Sequence, residues 1–76
     1  MTKVILPSLA EGVQNATITY WHFKINDKVN EGDDLVELAT DKATFNLPAP
    51  AAGVLTEIYS SEGDQVSVGA TIAVIA

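Results

Sequence analysis

The chain repeats itself at an offset of 37 residues, and this internal repeat constrains the fold more than any other feature of the sequence. Residues 27–38 align with residues 64–75, and the shared positions mark turns and apolar strand faces. The matched positions are Asp27 with Asp64, Val29 with Val66, Gly32 with Gly69, Leu35 with Ile72 and Leu38 with Ile75. Two copies are too few for a repeat array. The sequence therefore predicts one body with approximate two-fold symmetry, in which each half covers the apolar face of the other.

Each half of the repeat has the pattern of β-strands. Residues 17–23 and 54–59 alternate in character and are rich in valine, isoleucine, threonine and aromatic side chains, which favour extended structure. Glycine, asparagine and aspartate mark the turns, and Pro48 ends a strand because proline cannot donate to a central ladder. We expect about eight short strands and an all-β fold, a flattened barrel or sandwich of two roughly four-stranded antiparallel sheets. Trp21 and Phe23 are expected to pack in its core.

Length and composition describe one small folded domain. The 76 residues, 47% of them hydrophobic and 18% charged, are expected to form a single domain spanning 1–76, cut from a longer multidomain chain. No apolar run reaches the ~18 residues that a membrane span requires. The net charge of −6 disfavours nucleic acid and anionic membranes as partners, because their phosphate groups would be repelled.

The sequence gives little support to metal, thiol or acid–base chemistry. It contains no cysteine, which excludes disulfide bonds, thiolate metal sites and a cysteine nucleophile. His22 is the only histidine, so an ordinary zinc site is not expected. The acidic residues Glu31, Asp33 and Asp34 lack the spacing of a calcium loop, and we expect a solvated turn there. No metal site and no catalytic constellation is therefore expected.

Lys42 is the only lysine or arginine after residue 28. It lies between two short β-type segments, Asp34–Ala39 and Ala43–Leu47, and so few residues join them that Asp41 and Lys42 are expected at the tip of a tight hairpin. A catalytic lysine is usually buried or set beside other cations, and the sequence indicates neither condition. An exposed amine on a rigid turn suits covalent attachment of another group. A plain solvated lysine in an unmodified β-sandwich interaction module is the alternative.

The repeat also predicts where the lysine lies relative to the chain ends. Subtracting the offset places the counterpart of Lys42 at Ile5, and adding the offset to Ala39 reaches Ala76. The lysine turn and the two termini are therefore expected at opposite poles of the domain, so that a chain attached at the termini would leave the lysine free.

The residues around Lys42 resemble the lipoyl domains of 2-oxo acid dehydrogenase complexes. The resemblance is carried by Asp41-Lys42-Ala43, the preceding Leu35-Val36-Glu37-Leu38 segment and Gly53, eleven positions after the lysine. It extends over essentially all 76 residues. Biotin carrier domains, the first alternative, usually place methionine on both sides of their lysine, whereas the only methionine here is Met1.

This resemblance implies a carrier function for a domain that is not catalytic alone. Lys42 would receive lipoic acid in amide linkage from a lipoate ligase or lipoyl transferase. The lipoylated lysine would shuttle acyl groups and reducing equivalents among a thiamine-diphosphate decarboxylase, an acyltransferase core and dihydrolipoamide dehydrogenase. The parent chain would be a dihydrolipoyl acyltransferase in the bacterial cytoplasm or the mitochondrial matrix, and the isolated domain would be a monomer.

The resemblance also implies roles for the neighbours of the lysine and for the loop after the first strand. Asp41 would either serve only as a turn former or, alternatively, fix the presentation of Lys42 and contact the decarboxylase, with Thr40 and Ala43 as spacers in the turn. Gly53 would serve the backbone, through a positive φ or close packing, and would contribute to ligase recognition. The loop residues implied in partner recognition are Ser8, Leu9, Ala10, Glu11, Gly12 and Val13.

One position departs from the pattern of that family. Many lipoyl domains carry a glutamate three residues before the lysine, and it helps to guide the lipoylating enzyme. This chain has Ala39 at that position, and its nearest preceding glutamate is Glu37. We expect the difference to bear on which ligase recognises the domain.

Overall fold

The computed structural model describes all residues from 1 to 76 and consists of eight β-strands joined by turns and loops. The strands are β1 (Thr2–Ile5), β2 (Asn15–Trp21), β3 (Lys28–Val29), β4 (Asp34–Ala39), β5 (Thr44–Pro48), β6 (Gly53–Ile58), β7 (Gln65–Ser67) and β8 (Thr71–Ile75). A membrane-spanning helix is not among the elements of the structure.

The strands form two four-stranded antiparallel sheets. One sheet has the order β1-β8-β6-β3 and the other has the order β5-β4-β2-β7. Every pairing in both sheets is antiparallel. The predicted all-β fold of two four-stranded sheets is therefore confirmed, and its two sheets have corresponding strand orders.

The predicted repeat is confirmed in the register of the strands. In the first half β2 pairs with β4, and Ile18 faces Leu38. In the second half β6 pairs with β8, and Leu55 faces Ile75. Both partners are displaced by the same 37-residue offset, so the pairing itself is duplicated.

A β-bulge recurs at the corresponding place in each half. The register of β2 against β4 shifts at Thr19, and the register of β6 against β8 shifts at Thr56. Each threonine hydroxyl hydrogen-bonds a main-chain oxygen of the facing strand, at 3.1 Å to Glu37 in the first half and at 3.2 Å to Val74 in the second. Bulges increase the local twist and bend of a strand, so both sheets curl by the same device.

The prediction that Ile5 is the counterpart of Lys42 is wrong, because the two chain ends interrupt the repeat. In the sheet that contains β1, Ile5 pairs with Thr71, and in the other sheet Pro48 pairs with Asp34. Ile5 is therefore equivalent to Pro48, at an offset of 43 residues rather than 37. The turn that carries Lys42 corresponds to the opening between the two termini.

The lysine turn and the termini nevertheless lie at opposite poles, as predicted. From the turn, β5 runs the length of the hairpin to Pro48, where Ala49 bonds back to Asp33 at 2.8 Å. The chain then reaches Val54, whose main chain exchanges two hydrogen bonds of 2.8 Å with Ala76. The lysine is thus separated from the C-terminus by the full length of the hairpin.

The space between the sheets is filled by aliphatic side chains from both halves. No charged or polar side chain is buried there. Trp21 and Phe23 pack against this core while remaining partly exposed, and the indole Nε1 of Trp21 donates to the Ser60 carbonyl at 2.9 Å. The largest fully enclosed side chains are Leu6, Ile18, Leu35, Leu38, Leu55, Ile72 and Ile75.

Candidate functional site

The turn between β4 and β5 places Lys42 at the tip of a hairpin, as the sequence predicts. The last pair of the ladder joins Ala39 to Thr44, and four residues connect the two strands. The N–H of Thr40 donates to the carbonyl of Ala43 at 2.8 Å and closes the base of the turn. Asp41 and Lys42 are both exposed at its tip.

The hydroxyl of Thr40 organises the inside of this turn. Thr40 Oγ1 lies 3.2 Å from the N–H nitrogens of Lys42 and Ala43, from which it accepts, and 3.2 Å from the carbonyl oxygen of Ala43, to which it donates. The expectation that Thr40 is a spacer is therefore incomplete. A threonine that begins a tight turn often bonds main-chain groups two or three residues on, and this propensity is the signal that could have revealed its role.

The hairpin is mounted on the core through β4. Val36 and Leu38 on this strand are fully buried, and Leu47 on β5 is buried opposite them. β4 also lies between β5 and β2 in the sheet, so its main chain is paired on both sides. The turn therefore rises from a strand that cannot shift without disturbing the core.

A groove of about 560 Å³ runs along one side of the turn. One wall is formed by Ala39 to Lys42, and the other is formed by Gly12 to Gln14 of the loop between β1 and β2 together with Asn15, the first residue of β2. Thr17 and Gln65 contribute to the strand surface between the walls. The groove is lined mainly by neutral hydroxyl, amide and main-chain groups, and Asp41 and Lys42 are its only charged lining residues.

The structure brings part of the predicted recognition loop to the lysine. Gly12 and Val13 line the groove together with Lys42. Ser8 to Glu11 lie outside the groove, and Leu9 packs against the core instead. Leu9 thus anchors the loop, whereas Ser8 and Glu11 are exposed beside it.

Hydrogen bonds fix the loop at the groove. The N–H of Val13 donates to Ala10 at 3.1 Å, and the N–H of Val68 donates to Gln14 at 2.9 Å. On the floor, Gln65 Nε2 donates to Asn15 Oδ1 at 3.0 Å and ties β7 to β2. The groove is therefore a preformed surface beside the lysine.

Gly53 does not join the site. It lies at the opposite pole, where a Cβ on this residue would come within 2.9 Å of Ile75 Cγ2 and would overlap the main chain of Ala76. The expectation that Gly53 serves the backbone through close packing is confirmed.

Ala39 lies half-buried on the wall of the groove, between Thr17 on β2 and Thr44 on β5. The preceding glutamate, Glu37, is engaged elsewhere, because its carboxylate accepts from Thr19 Oγ1 at 2.7 Å. Glu37 is not among the residues that line the groove, and Asp41 supplies the only carboxylate that does.

Outside the site, the side chains of Tyr59 and Glu57 form a hydrogen-bonded pair. The hydroxyl of Tyr59 donates to the carboxylate of Glu57, and this hydrogen bond is the main cause of a raised pKa for Tyr59, with desolvation and the glutamate charge as smaller causes. Around Lys42 the structure places one exposed amine beside a carboxylate. Such an arrangement lacks the burial or neighbouring cations that activate a catalytic lysine, but it leaves the amine open to modification by another enzyme.

A two-sheet flattened barrel that presents a single lysine on a rigid hairpin defines a carrier domain, which displays an attached group and performs no catalysis alone. The family of biotin- and lipoyl-bearing domains, described as "Biotin-requiring enzyme", matches residues 2–75. The chain belongs to this family.

Several relatives of the chain are acyltransferase components of 2-oxo acid dehydrogenase complexes. The succinyltransferase component of the 2-oxoglutarate dehydrogenase complex of Staphylococcus saprophyticus is 43% identical over 75 residues, which cover 99% of this chain and 18% of that protein. The acetyltransferase component of the pyruvate dehydrogenase complex of Corynebacterium glutamicum is 43% identical over 73 residues, which cover 96% of this chain and 11% of that protein. The chain thus spans less than a fifth of the length of either relative.

A solved structure shows the same fold. The solution structure of the lipoyl domain of the 2-oxoglutarate dehydrogenase complex from Azotobacter vinelandii superposes with a TM-score of 0.80 at 29% sequence identity. The match covers 100% of this chain and 96% of that chain. The fold is therefore that of a lipoyl domain.

Proposed function

We propose that Lys42 is covalently lipoylated and that the domain carries acyl groups and reducing equivalents between the active sites of a 2-oxo acid dehydrogenase complex. The observation that carries this proposal is the position of Lys42, exposed at the tip of a hairpin whose base is fixed in the core. The names of the relatives support lipoic acid over biotin, because they are dihydrolipoyllysine-residue acyltransferases.

The residues at the turn fit a group attached by an amide bond. Lys42 offers an exposed primary amine, and no part of the fold has to move for an enzyme to reach it. When bound, a lipoyl group supplies a dithiolane that accepts an acyl group and two electrons. With about twelve bonds at roughly 1.27 Å each, scaled from backbone dimensions, the arm reaches on the order of 15 Å from the Lys42 Cα.

The other residues of the site contribute to presentation and recognition. Asp41 adds a negative charge beside the attachment point, and we propose that it contacts the decarboxylase. Gly12 and Val13 form the proposed recognition surface because they share the groove with Lys42. Ser8 and Glu11, exposed in the same loop, extend this surface.

The proposed partners follow from the proposed cargo. They are a lipoate ligase or lipoyl transferase, a thiamine-diphosphate decarboxylase, an acyltransferase core and dihydrolipoamide dehydrogenase. We propose that the domain works as part of a longer acyltransferase, in the bacterial cytoplasm or the mitochondrial matrix. Tethering raises the local concentration of a carried group at each active site, often to millimolar values for short flexible linkers.

Intact-mass spectrometry after incubation with a lipoate ligase, ATP and lipoate tests the attachment. We expect one lipoyl group per chain and none on Lys42→Arg, because the guanidinium does not form the amide. Lys28→Arg, which replaces an exposed lysine on β3, serves as the matched control and should be modified like the wild type.

Parallel incubation with a biotin ligase distinguishes the alternatives. Biotin on Lys42 without lipoylation would favour a biotin carrier. A folded protein that neither enzyme modifies would favour an unmodified interaction module and would contradict the proposal.

A further inference from the structure

The backbone around Lys42 receives no support from the hydrophobic core. Asp41, Lys42 and Ala43 are all exposed, and Thr40 is the one residue of the turn that is half-buried. A four-residue loop with three exposed members would ordinarily sample several conformations, because each residue gains backbone entropy when it is released. Some other interaction must hold the turn if the lysine is to leave the domain in a fixed direction.

The N–H of Thr40 closes the base of the turn on the Ala43 carbonyl, and the Thr40 hydroxyl holds the remaining main-chain groups with its full bonding capacity. A hydroxyl has one donor and two acceptor positions. In this turn the donor is directed to the Ala43 carbonyl, and the two acceptor positions receive the N–H groups of Lys42 and Ala43. The N–H of the modified residue itself is therefore bound to this side chain.

We propose that Thr40 is a positioning residue for the modification of Lys42. This inference rests on the proposed lipoylation. The hydroxyl holds the main chain of Lys42 in one conformation, so the Cα that bears the side chain has a fixed position when a ligase binds the hairpin. Without the hydroxyl, the N–H groups of Lys42 and Ala43 bond to water. The ligase must then select the productive conformation from a mixture of turn conformations.

Three variants separate the hydroxyl from the shape of the side chain. Thr40→Val keeps the branched shape and removes the hydroxyl, whereas Thr40→Ser keeps the hydroxyl and removes the methyl group. Thr44→Val makes the same chemical change at the exposed first residue of β5, outside the turn, and serves as the matched control. All four proteins are compared at a temperature where thermal unfolding shows each to be folded.

Two measurements are made on each protein. Amide hydrogen exchange followed by NMR reports the protection of the Lys42 and Ala43 N–H groups. Steady-state kinetics with a lipoate ligase, ATP and lipoate, followed by intact mass, give kcat and KM for the domain as substrate. For Thr40→Val we expect exchange at both amides to accelerate roughly tenfold and kcat/KM for the domain to fall by a similar factor, because only the fraction of molecules with the productive turn conformation reacts. Thr40→Ser and Thr44→Val should behave like the wild type in both measurements.

The two proposals fail in different ways. A wild-type kcat/KM in Thr40→Val, or an equal loss of kcat/KM in Thr40→Ser, would overturn the positioning role while leaving lipoylation of Lys42 in place. A wild-type domain that the ligase does not modify, while its two turn amides are protected, would overturn both the proposed function and the positioning role that rests on it.

Discussion

Lys42 and Gly53 occupy opposite environments in this small domain, because the first is exposed and the second is closely packed. Lys42 is exposed, and its side chain can change without disturbing the core. Gly53 lies against the end of β8, in a space that has no room for a methyl group. The side chain of the first residue is therefore accessible to another enzyme, and the second residue permits the halves to close at the terminal pole.

Gly53→Ala is expected to destabilise the domain by about 2 kcal/mol, because the added Cβ overlaps neighbouring main chain that is already hydrogen-bonded to β6. Urea unfolding followed by Trp21 fluorescence measures the change. Ala52→Ser, at the exposed neighbouring position, should stay within about 0.5 kcal/mol of the wild type. A Gly53→Ala protein as stable as Ala52→Ser would show that the termini can move aside at little cost.

At the scale of the element, the β4–β5 hairpin combines a fixed base with an exposed tip. Buried residues on β4 hold the base in the core, and side-chain hydrogen bonds shape the turn. The two sheets also share an element-level feature. A threonine bulge in β2, which pairs with β4, and another in β6, which pairs with β8, set the curl of each sheet. The same substitution can therefore be compared at an exposed and at a half-buried bulge of one chain.

Replacing each bulge threonine by valine should affect stability unequally. Thr56 is half-buried, so Thr56→Val leaves the Val74 carbonyl with a poorly solvated oxygen and is expected to cost about 1 kcal/mol. Thr19 is exposed, so water can replace its hydroxyl at both the carbonyl and the carboxylate of Glu37, and Thr19→Val is expected to cost about half as much. Urea unfolding of the two variants and the wild type measures both effects. Equal losses would show that burial of the bulge does not matter.

The strands and the repeat could be predicted from the sequence because the alternation of apolar residues determines them. The alternation of apolar residues around Ile18 and Leu55 and the glycine turns identified the strands and the repeat. The small number of residues between the β-type segments Asp34–Ala39 and Ala43–Leu47 located the lysine turn. The propensity of a turn threonine to bond nearby main-chain groups could have suggested the role of Thr40, but which groups its hydroxyl contacts depends on the conformation of the loop. The equivalence of Ile5 with Pro48 was missed because an offset counted along the chain ignores the chain ends.

At the scale of the whole molecule, the approximate two-fold symmetry relates the lysine turn to the opening between the termini. Ala39 corresponds to Ala76, and Thr44 corresponds to Met1 in the shifted register. The first pair is bridged by four residues, whereas the second pair is not connected. The molecule therefore has one closed pole and one open pole, and the closed pole bears the candidate site.

Joining Ala76 to Met1 through the sequence Thr-Asp-Lys-Ala should close the second pole with a turn like the first. The cyclic protein is expected to be more stable than the linear one by about 2 kcal/mol, because closure restricts the unfolded chain without straining the folded one. Urea unfolding of cyclic and linear forms measures the difference. A cyclic domain less stable than the linear domain would show that the two poles are not geometrically equivalent.

The central claim, that Lys42 bears the prosthetic group, is tested most directly by peptide-level mass spectrometry of the protein isolated from its native cells. The account predicts a lipoyl group on the peptide that contains Lys42 and unmodified side chains at Lys3, Lys24 and Lys28. A lipoyl group on another lysine, or an unmodified Lys42 in a complex that turns over its 2-oxo acid, would contradict it.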